Sequence, residues 1–225
     1  MKNKLTGFTL AEVLITLLIT GIVASLVIPT IINDTQKQEW VIGLKKSVSD
    51  FNQAYKMWQI DIGTTDFANN IPSNNGLFLN EFVKYLDVIK VCPAHQNPGE
   101  CFCQDAKYMD GHKMSDLIGS INGFTRAILK DGRFIMTYGY HQDCIWTKNV
   151  TNGTGDACTQ IFVDVNGMKG PNVMGRDIFA TVFTRKNGVL PTGIQGSVSS
   201  CNGIFGYYDE GCAGKIAREG WKMNY

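Results

Sequence analysis

The stretch FTLAEVLITLLITGIVASLVI, Phe8 to Ile28, constrains what this chain can fold into more than any other. Its 21 residues carry one ionisable side chain, Glu12. As a helix rising about 1.5 Å per residue it is roughly 30 Å long, the thickness of a bilayer's hydrocarbon core. A basic leader, Met1 to Gly7, precedes it. Lys2 and Lys4 place the N-terminus in the cytoplasm by the positive-inside rule. A charge inside an apolar span costs about 2.5–3.5 kcal/mol on insertion scales, so Glu12 marks a function unless it snorkels toward the headgroups.

Composition bears on the remainder. The 225 residues suffice for a membrane segment and one globular domain. A net charge of +1 gives no electrostatic case for nucleic acid or an acidic partner, and the basic residues are scattered, so no nucleic-acid site is indicated. With 18% charged residues and 24 glycines, a loop-rich β-containing domain is expected. All seven cysteines lie beyond the apolar stretch, as suits disulfides in an exported domain, and the odd number means that at least one thiol is unpaired or pairs between molecules. The apolar run is too long for a typical secretory signal, and no small-x-small cleavage site ends it.

Gly7, Phe8 and Glu12, followed by Pro29 at the end of the span, carry a resemblance. The residues GFTLAEVLITLLITGIVASLVIP resemble the class III signal of type IV pilins and type II secretion pseudopilins. The resemblance implies cleavage by a prepilin peptidase after Gly7 and N-methylation of Phe8. It implies an assembly role for Glu12, pairing with the new α-amine of a neighbouring subunit's Phe8 and so setting filament register. Pro29 should kink or locally melt the helix, since it cannot donate and clashes with the carbonyl four residues back. Thr9, Thr16, Thr20 and Ser25 can bond the carbonyl four residues back and so be tolerated in lipid.

The implied fold is α+β and pilin-like: a long N-terminal helix packed on an antiparallel sheet, with disulfide-bounded loops. Residues 1–7 are the leader, 8–28 the transmembrane half of the helix, 29–62 its amphipathic half and 63–225 the exported head. Trp40, Leu44, Val48, Phe51, Tyr55 and Trp58 recur at steps of three or four, one helical stripe for the sheet to cover. Gly63 should end this helix. Thr64 to Gly76 reads as a polar loop and Leu77 to Leu86 as a short helix with Phe78, Phe82 and Tyr85 in phase. AILK and RFIMTY flank Asp131-Gly132, a type I′ hairpin signal, and Asn187-Gly188 is another. Thr159 to Val165 and Asp177 to Thr184 read as strands, making three to five in all.

The glycine-rich loop between these last two strands places Asp164, Asn166, Asn172 and Asp177 together. They are oxygen donors of the kind calcium takes, although the loop is no EF-hand: its glycine comes too early and no glutamate closes it. Major pseudopilins carry a calcium loop in a comparable late position. The other reading is a turn held by Asx side chains and an Arg176–Asp contact. No other cofactor is indicated.

Cys201 and Cys212 bracket a loop that a disulfide would staple, by about 2–3 kcal/mol on the loop-entropy estimate, and Cys144–Cys158 is a second local pair. Type IV pilins have a similar C-terminal disulfide loop. Cys92, His95, Cys101 and Cys103 invite a zinc reading, but their spacing matches no common zinc module, and loop disulfides suit them better. His141 and Cys144 lack an oriented third group for thiol hydrolysis. Asn149 and Asn152 head sequons that matter only with a eukaryotic-type glycosylation pathway. Trp221 and Tyr225 should pack down the end of the chain.

No enzymatic constellation emerges. The function implied is a structural subunit of a type IV pilus or pseudopilus-like filament, with the large cysteine-rich head leaning toward a minor or specialised subunit. The partners would be other pilin-like subunits, the prepilin peptidase, an inner-membrane assembly platform with its cytoplasmic ATPase, and the membrane itself. The setting would be the bacterial inner membrane, then a periplasmic or extracellular filament. The alternative is an exported binding or enzymatic domain that uses the segment only as a signal anchor.

Overall fold

A computed structural model of the chain describes residues 7–72, 74–93, 100–103, 105–114, 124–145, 156–194, 201 and 211–225. Helix α1 spans Leu10–Ile62 and is continuous through Pro29. The expected melting at Pro29 is therefore absent: proline removes one donor, while the turns on either side keep their own. Gly63, with φ +68°, ends the helix, and its N–H reaches the Ile60 carbonyl at 3.2 Å. Two compact units result, Met1–Glu39 and Trp40–Tyr225.

In the first unit the apolar side chains of α1 are bare on every side, with Leu14, Leu17, Ile19, Ile22 and Leu26 all exposed. Mean hydropathy over its most apolar 18-residue window is 2.4, long and apolar enough to cross a membrane.

In the second unit a six-stranded antiparallel sheet runs in simple meander order. Its strands are β1 Val88–Cys92, β2 Arg126–Leu129, β3 Phe134–Tyr140, β4 Ala157–Asp164, β5 Ile178–Thr184 and β6 Val189–Pro191. That is one more than the upper expectation. Helix α2, Asn75–Phe82, continues into a 3-10 turn at Val83–Tyr85, and α3 spans Cys212–Arg218. Asn74 caps α2, its side chain accepting from the Leu77 N–H at 2.9 Å.

Alternation along the strands sorts side chains to two faces. Ile135, Ile161, Val163, Phe179 and Phe183 join Trp40, Leu44, Phe51, Tyr55 and Trp58 of α1 in the main core. Phe134, Met136, Phe162, Ile178 and Ala180 face a second core built with Phe102, Cys103, Tyr108 and Met114. The sheet is thus covered on both faces, which is why every residue of β4 and β5 is buried. Phe183 centres an aromatic cluster, with ring centroids 4.7 Å from Tyr55 and from Phe67, 5.0 Å from Phe78 and 5.6 Å from Trp58. Such pairs add about 0.5–1.5 kcal/mol each beyond burial.

Both hairpin turns depart from type I′. Leu129 N–H meets the Arg133 carbonyl at 2.9 Å, which leaves a three-residue loop, Lys130 to Gly132. Gly132 has φ +89° and Asp131 does not share a positive φ, as type I′ geometry would require. The β5–β6 turn also leaves three residues between its bonded pair, with Thr184 N–H on the Gly188 carbonyl at 3.0 Å, but there the positive φ, +84°, falls on Gly188 itself and Asn187 does not share it. In the first hairpin Asp131 is committed elsewhere. Its Oδ2 accepts from Arg133 Nε at 2.8 Å and Lys46 Nζ at 2.6 Å, while Arg133 also donates to Ser47 Oγ at 2.6 Å and to Asp50. This network ties the hairpin to α1.

Partial burial acts to raise the Asp131 pKa, but the hydrogen bonds from Arg133 and Lys46 outweigh it and hold the carboxyl at about 2. A carboxyl held below its unfolded value near 4 stabilises the fold above that pH, and the contribution is lost as pH falls through the folded value. Lowering pH from about 4 to about 2 is expected to lower Tm more steeply in the wild type than in Asp131→Asn. Parallel slopes for the two proteins would contradict this assignment.

Candidate functional site

Gly7, Phe8 and Thr9 precede the first turn of α1 in non-helical backbone, and Phe8 is 89% exposed. The bond after Gly7 is therefore accessible. Thr9 does not bond back to a carbonyl as expected; no helical turn lies behind it. It forms a capping box with Glu12 instead. Thr9 Oγ1 accepts from Glu12 N–H at 3.2 Å, and Glu12 Oε2 accepts from Thr9 N–H at 2.8 Å and from Thr9 Oγ1 at 2.9 Å. Within one chain the Glu12 carboxylate is thus fixed at the start of the helix, close to the residue that cleavage would make N-terminal. Of the other hydroxyls, Thr20 donates to the Thr16 carbonyl four residues back, as expected, whereas Thr16 and Ser25 donate to Val13 and Ile22, three residues back.

The loop 165–177 between β4 and β5 is built around two buried carboxylates. Asp164 Oδ1 accepts from the N–H groups of Asn166 (3.2 Å) and Gly167 (2.9 Å). Asp177 accepts from those of Asn172 (2.8 Å) and Val173 (2.7 Å). Burial, then the charge of Asp177, pushes Asp164 up to about 7, and burial raises Asp177 as well. The Asx turns foreseen are present. No cluster of three His, Cys, Asp or Glu ligands occurs among the described residues, so a cation here would lean on amide oxygens.

Three disulfides form: Cys92–Cys101, Cys144–Cys158 and Cys201–Cys212. The latter two are the pairs expected. The first adds the pairing the sequence left open, and it consumes two of the thiols of the zinc reading. Cys103 is the free cysteine; it is buried, and burial followed by the Asp164 charge pushes its thiol far above the ordinary range. Cys144 is likewise no nucleophile, being oxidised. His95 and the sequons at Asn149 and Asn152 lie outside the described residues. The Thr9 cap and the Cys103–Asp164 contact were missed. The capping pattern Thr9-x-x-Glu12 was present in the sequence to find, whereas the contact joins residues far apart in the chain.

Residues 2–28 match a family model described as the prokaryotic N-terminal methylation motif. No match was found among curated proteins or among solved structures.

Proposed function

From an N-terminal segment of the type IV pilin-like family, we propose that this chain is a structural subunit of a type IV pilus or pseudopilus-like filament, of the minor or specialised kind. The observation that carries this reading is the methylation motif at residues 2–28, set on an apolar helix whose side chains are bare on all sides. A prepilin peptidase cuts after Gly7, and Phe8 is methylated. The mature chain sits in the inner membrane with its head exported, and an assembly platform feeds it into the filament. Lateral packing of α1 segments then buries the bare apolar surface. The Phe8 amine, freed by cleavage, meets the carboxylate of a neighbour's Glu12, and a wrong stagger leaves both charges unpaired in a dry bundle. The role is structural, not enzymatic.

Mass spectrometry of the N-terminus, from cells that contain a prepilin peptidase, tests the first step. The expected product begins with methyl-Phe8 in the wild type, and Gly7→Ala accumulates as full-length precursor. A wild-type chain that keeps Met1 to Gly7 would leave only the plain signal-anchor reading. Purified filaments would then tell a stoichiometric subunit from a trace one.

A further inference from the structure

Cations scattered along the chain meet on one surface of the second unit. On α1, Ile42 and Lys45 are exposed three residues apart, so they share a side of the helix. The loop 165–177 abuts α1 beside them: a Cβ at Gly43 would fall 2.7 Å from that of Val165. This loop exposes Met168, Lys169 and Arg176. It bonds to Lys107, whose N–H meets the Asn172 carbonyl at 2.9 Å and whose carbonyl meets the Met174 N–H at 2.8 Å. Lys107 in turn lies opposite Lys113. Tyr225 Oη donates to the Gly175 carbonyl at 2.7 Å, and Lys215 Nζ sits 5.0 Å from the centre of the same ring. These contacts join six cations, Lys45, Lys107, Lys113, Lys169, Arg176 and Lys215, into one belt.

Its charge is uncompensated. None of the six forms an ion pair with a described carboxylate. Away from the belt Lys46, Lys84, Lys90, Lys130 and Lys186 are paired at 2.6–3.3 Å. On the belt's own surface Asp110 is held by His112 and Glu219 by Asn224, Asp164 and Asp177 are buried, and Asp105 is exposed. Lys107 and Lys113 lie between the Met114–Ala106 and Tyr108–His112 hydrogen bonds, the position where opposed residues come closest. Like charges so placed repel, and an anion over them removes the repulsion.

We propose that this belt docks on anionic lipid headgroups, with the exposed side chains of Ile42 and Met168 entering the interface between them. Cations flanked by bare aliphatic side chains suit a partner with an apolar layer beneath its charge. Nucleic acid is the poorer match, because bases need free rings to stack on. The rings on this surface, Trp221 and Tyr225, already lie under Lys45 and Lys215. The chain also carries its own membrane-capable helix, so the head meets a bilayer at high effective concentration and a weak contact suffices. The inference rests on the membrane setting of the proposed function, not on cleavage or filament assembly.

The test reconstitutes the full-length chain into nanodiscs of phosphatidylcholine, alone or with about 30% phosphatidylglycerol, and maps lysine acylation by mass spectrometry. Phosphatidylglycerol is expected to lower the reactivity of Lys107, Lys113 and Lys169 about fivefold, to leave Lys56 unchanged, and to lose its effect in about 0.5 M salt. Lys113→Glu gives Lys107 a partner across the strands, so it removes belt charge without weakening the fold. It should cut the protection of Lys169 to about twofold or less. Copurification with the discs reports the anchor separately, so a failed contact and a failed anchor are told apart. The proposal is overturned if phosphatidylglycerol protects none of these lysines, if it protects Lys56 equally, or if Lys113→Glu leaves Lys169 as protected as in the wild type. Better protection by duplex DNA, added to phosphatidylcholine discs at equal phosphate, would assign the belt to nucleic acid and overturn it too.

Discussion

Mature chains carrying Glu12→Ala are expected to reach the membrane but to enter filaments at about a tenth of the wild-type level or less when both are present. Removing one partner of a buried ion pair is worth about 3–5 kcal/mol, because the other charge is left unpaired. A tenfold deficit needs only about 1.4 kcal/mol, so the effect should survive partial hydration of the pair. The geometry in the single chain sharpens the experiment. Glu12 already serves its own helix by capping Thr9, so alanine removes a cap as well as a charge. Glu12→Gln separates the two, because a glutamine at this position still completes a capping box. If charge pairing sets the register, Glu12→Gln incorporates as poorly as Glu12→Ala. If capping is what matters, it incorporates as wild type. Differently tagged copies, counted in sheared filaments, give the ratio. Equal entry of Glu12→Ala and wild type would remove the register role altogether.

The parts of the fold legible in the sequence are those where one periodicity serves one surface. The stripe from Trp40 to Trp58 repeats at helical spacing because a single sheet face covers it, and all its members but the partly buried Val48 are buried as expected. Strand β4 is legible differently: both its faces are covered, and Ile161, Phe162 and Val163 form an unbroken apolar run. Where two demands meet, the pattern blurs. Strand β1 was missed because a register shift between Val88 and Lys90 breaks its alternation, and its cysteine drew attention to loop chemistry. Phe67 lies in a stretch whose polar residues spell a loop, and a loop it is, yet the ring is wholly buried against Tyr55 and Trp58. One aromatic has no period to read. The second core rests on the irregular segment from Phe102 to Met114, which also has none.

At the candidate sites the same division holds. The leader, Gly7, Glu12 and Pro29 form a linear pattern, legible without a fold. The pairs Cys144–Cys158 and Cys201–Cys212 close short loops and could be named from proximity alone. Cys92–Cys101 could not, since Cys92, Cys101 and Cys103 remain once those pairs are made and Cys103 competes for the same partners. The oxygen-rich loop was legible as composition. Which of its oxygens accept from backbone N–H groups depends on directions that only the folded turn defines.

The largest effect on the stability of the second unit is expected at Gly214, in the C-terminal helix α3. Its N–H donates to the Thr192 carbonyl at 2.8 Å, which draws the helix backbone onto the chain leaving β6. A Cβ there would lie 2.2 Å from the Gly193 carbonyl carbon and 2.3 Å from the Ile194 nitrogen. Both obstacles are backbone, so no side-chain rotation relieves them. The helix can only retreat, which breaks the hydrogen bond and withdraws Ala213 and Ile216, both fully buried, from the main core. Overpacking of this kind costs about 1–3 kcal/mol, and losing the hydrogen bond adds about 1 kcal/mol. At about 2–4 °C per kcal/mol for a unit of this size, Gly214→Ala should lower Tm by roughly 4–16 °C. The higher helix propensity of alanine offsets this by only about 1 kcal/mol. Thermal unfolding of the full chain in detergent, with the disulfides intact, measures the difference. A Tm within about 2 °C of wild type would mean that α3 and the Gly193 backbone do not approach as closely as described.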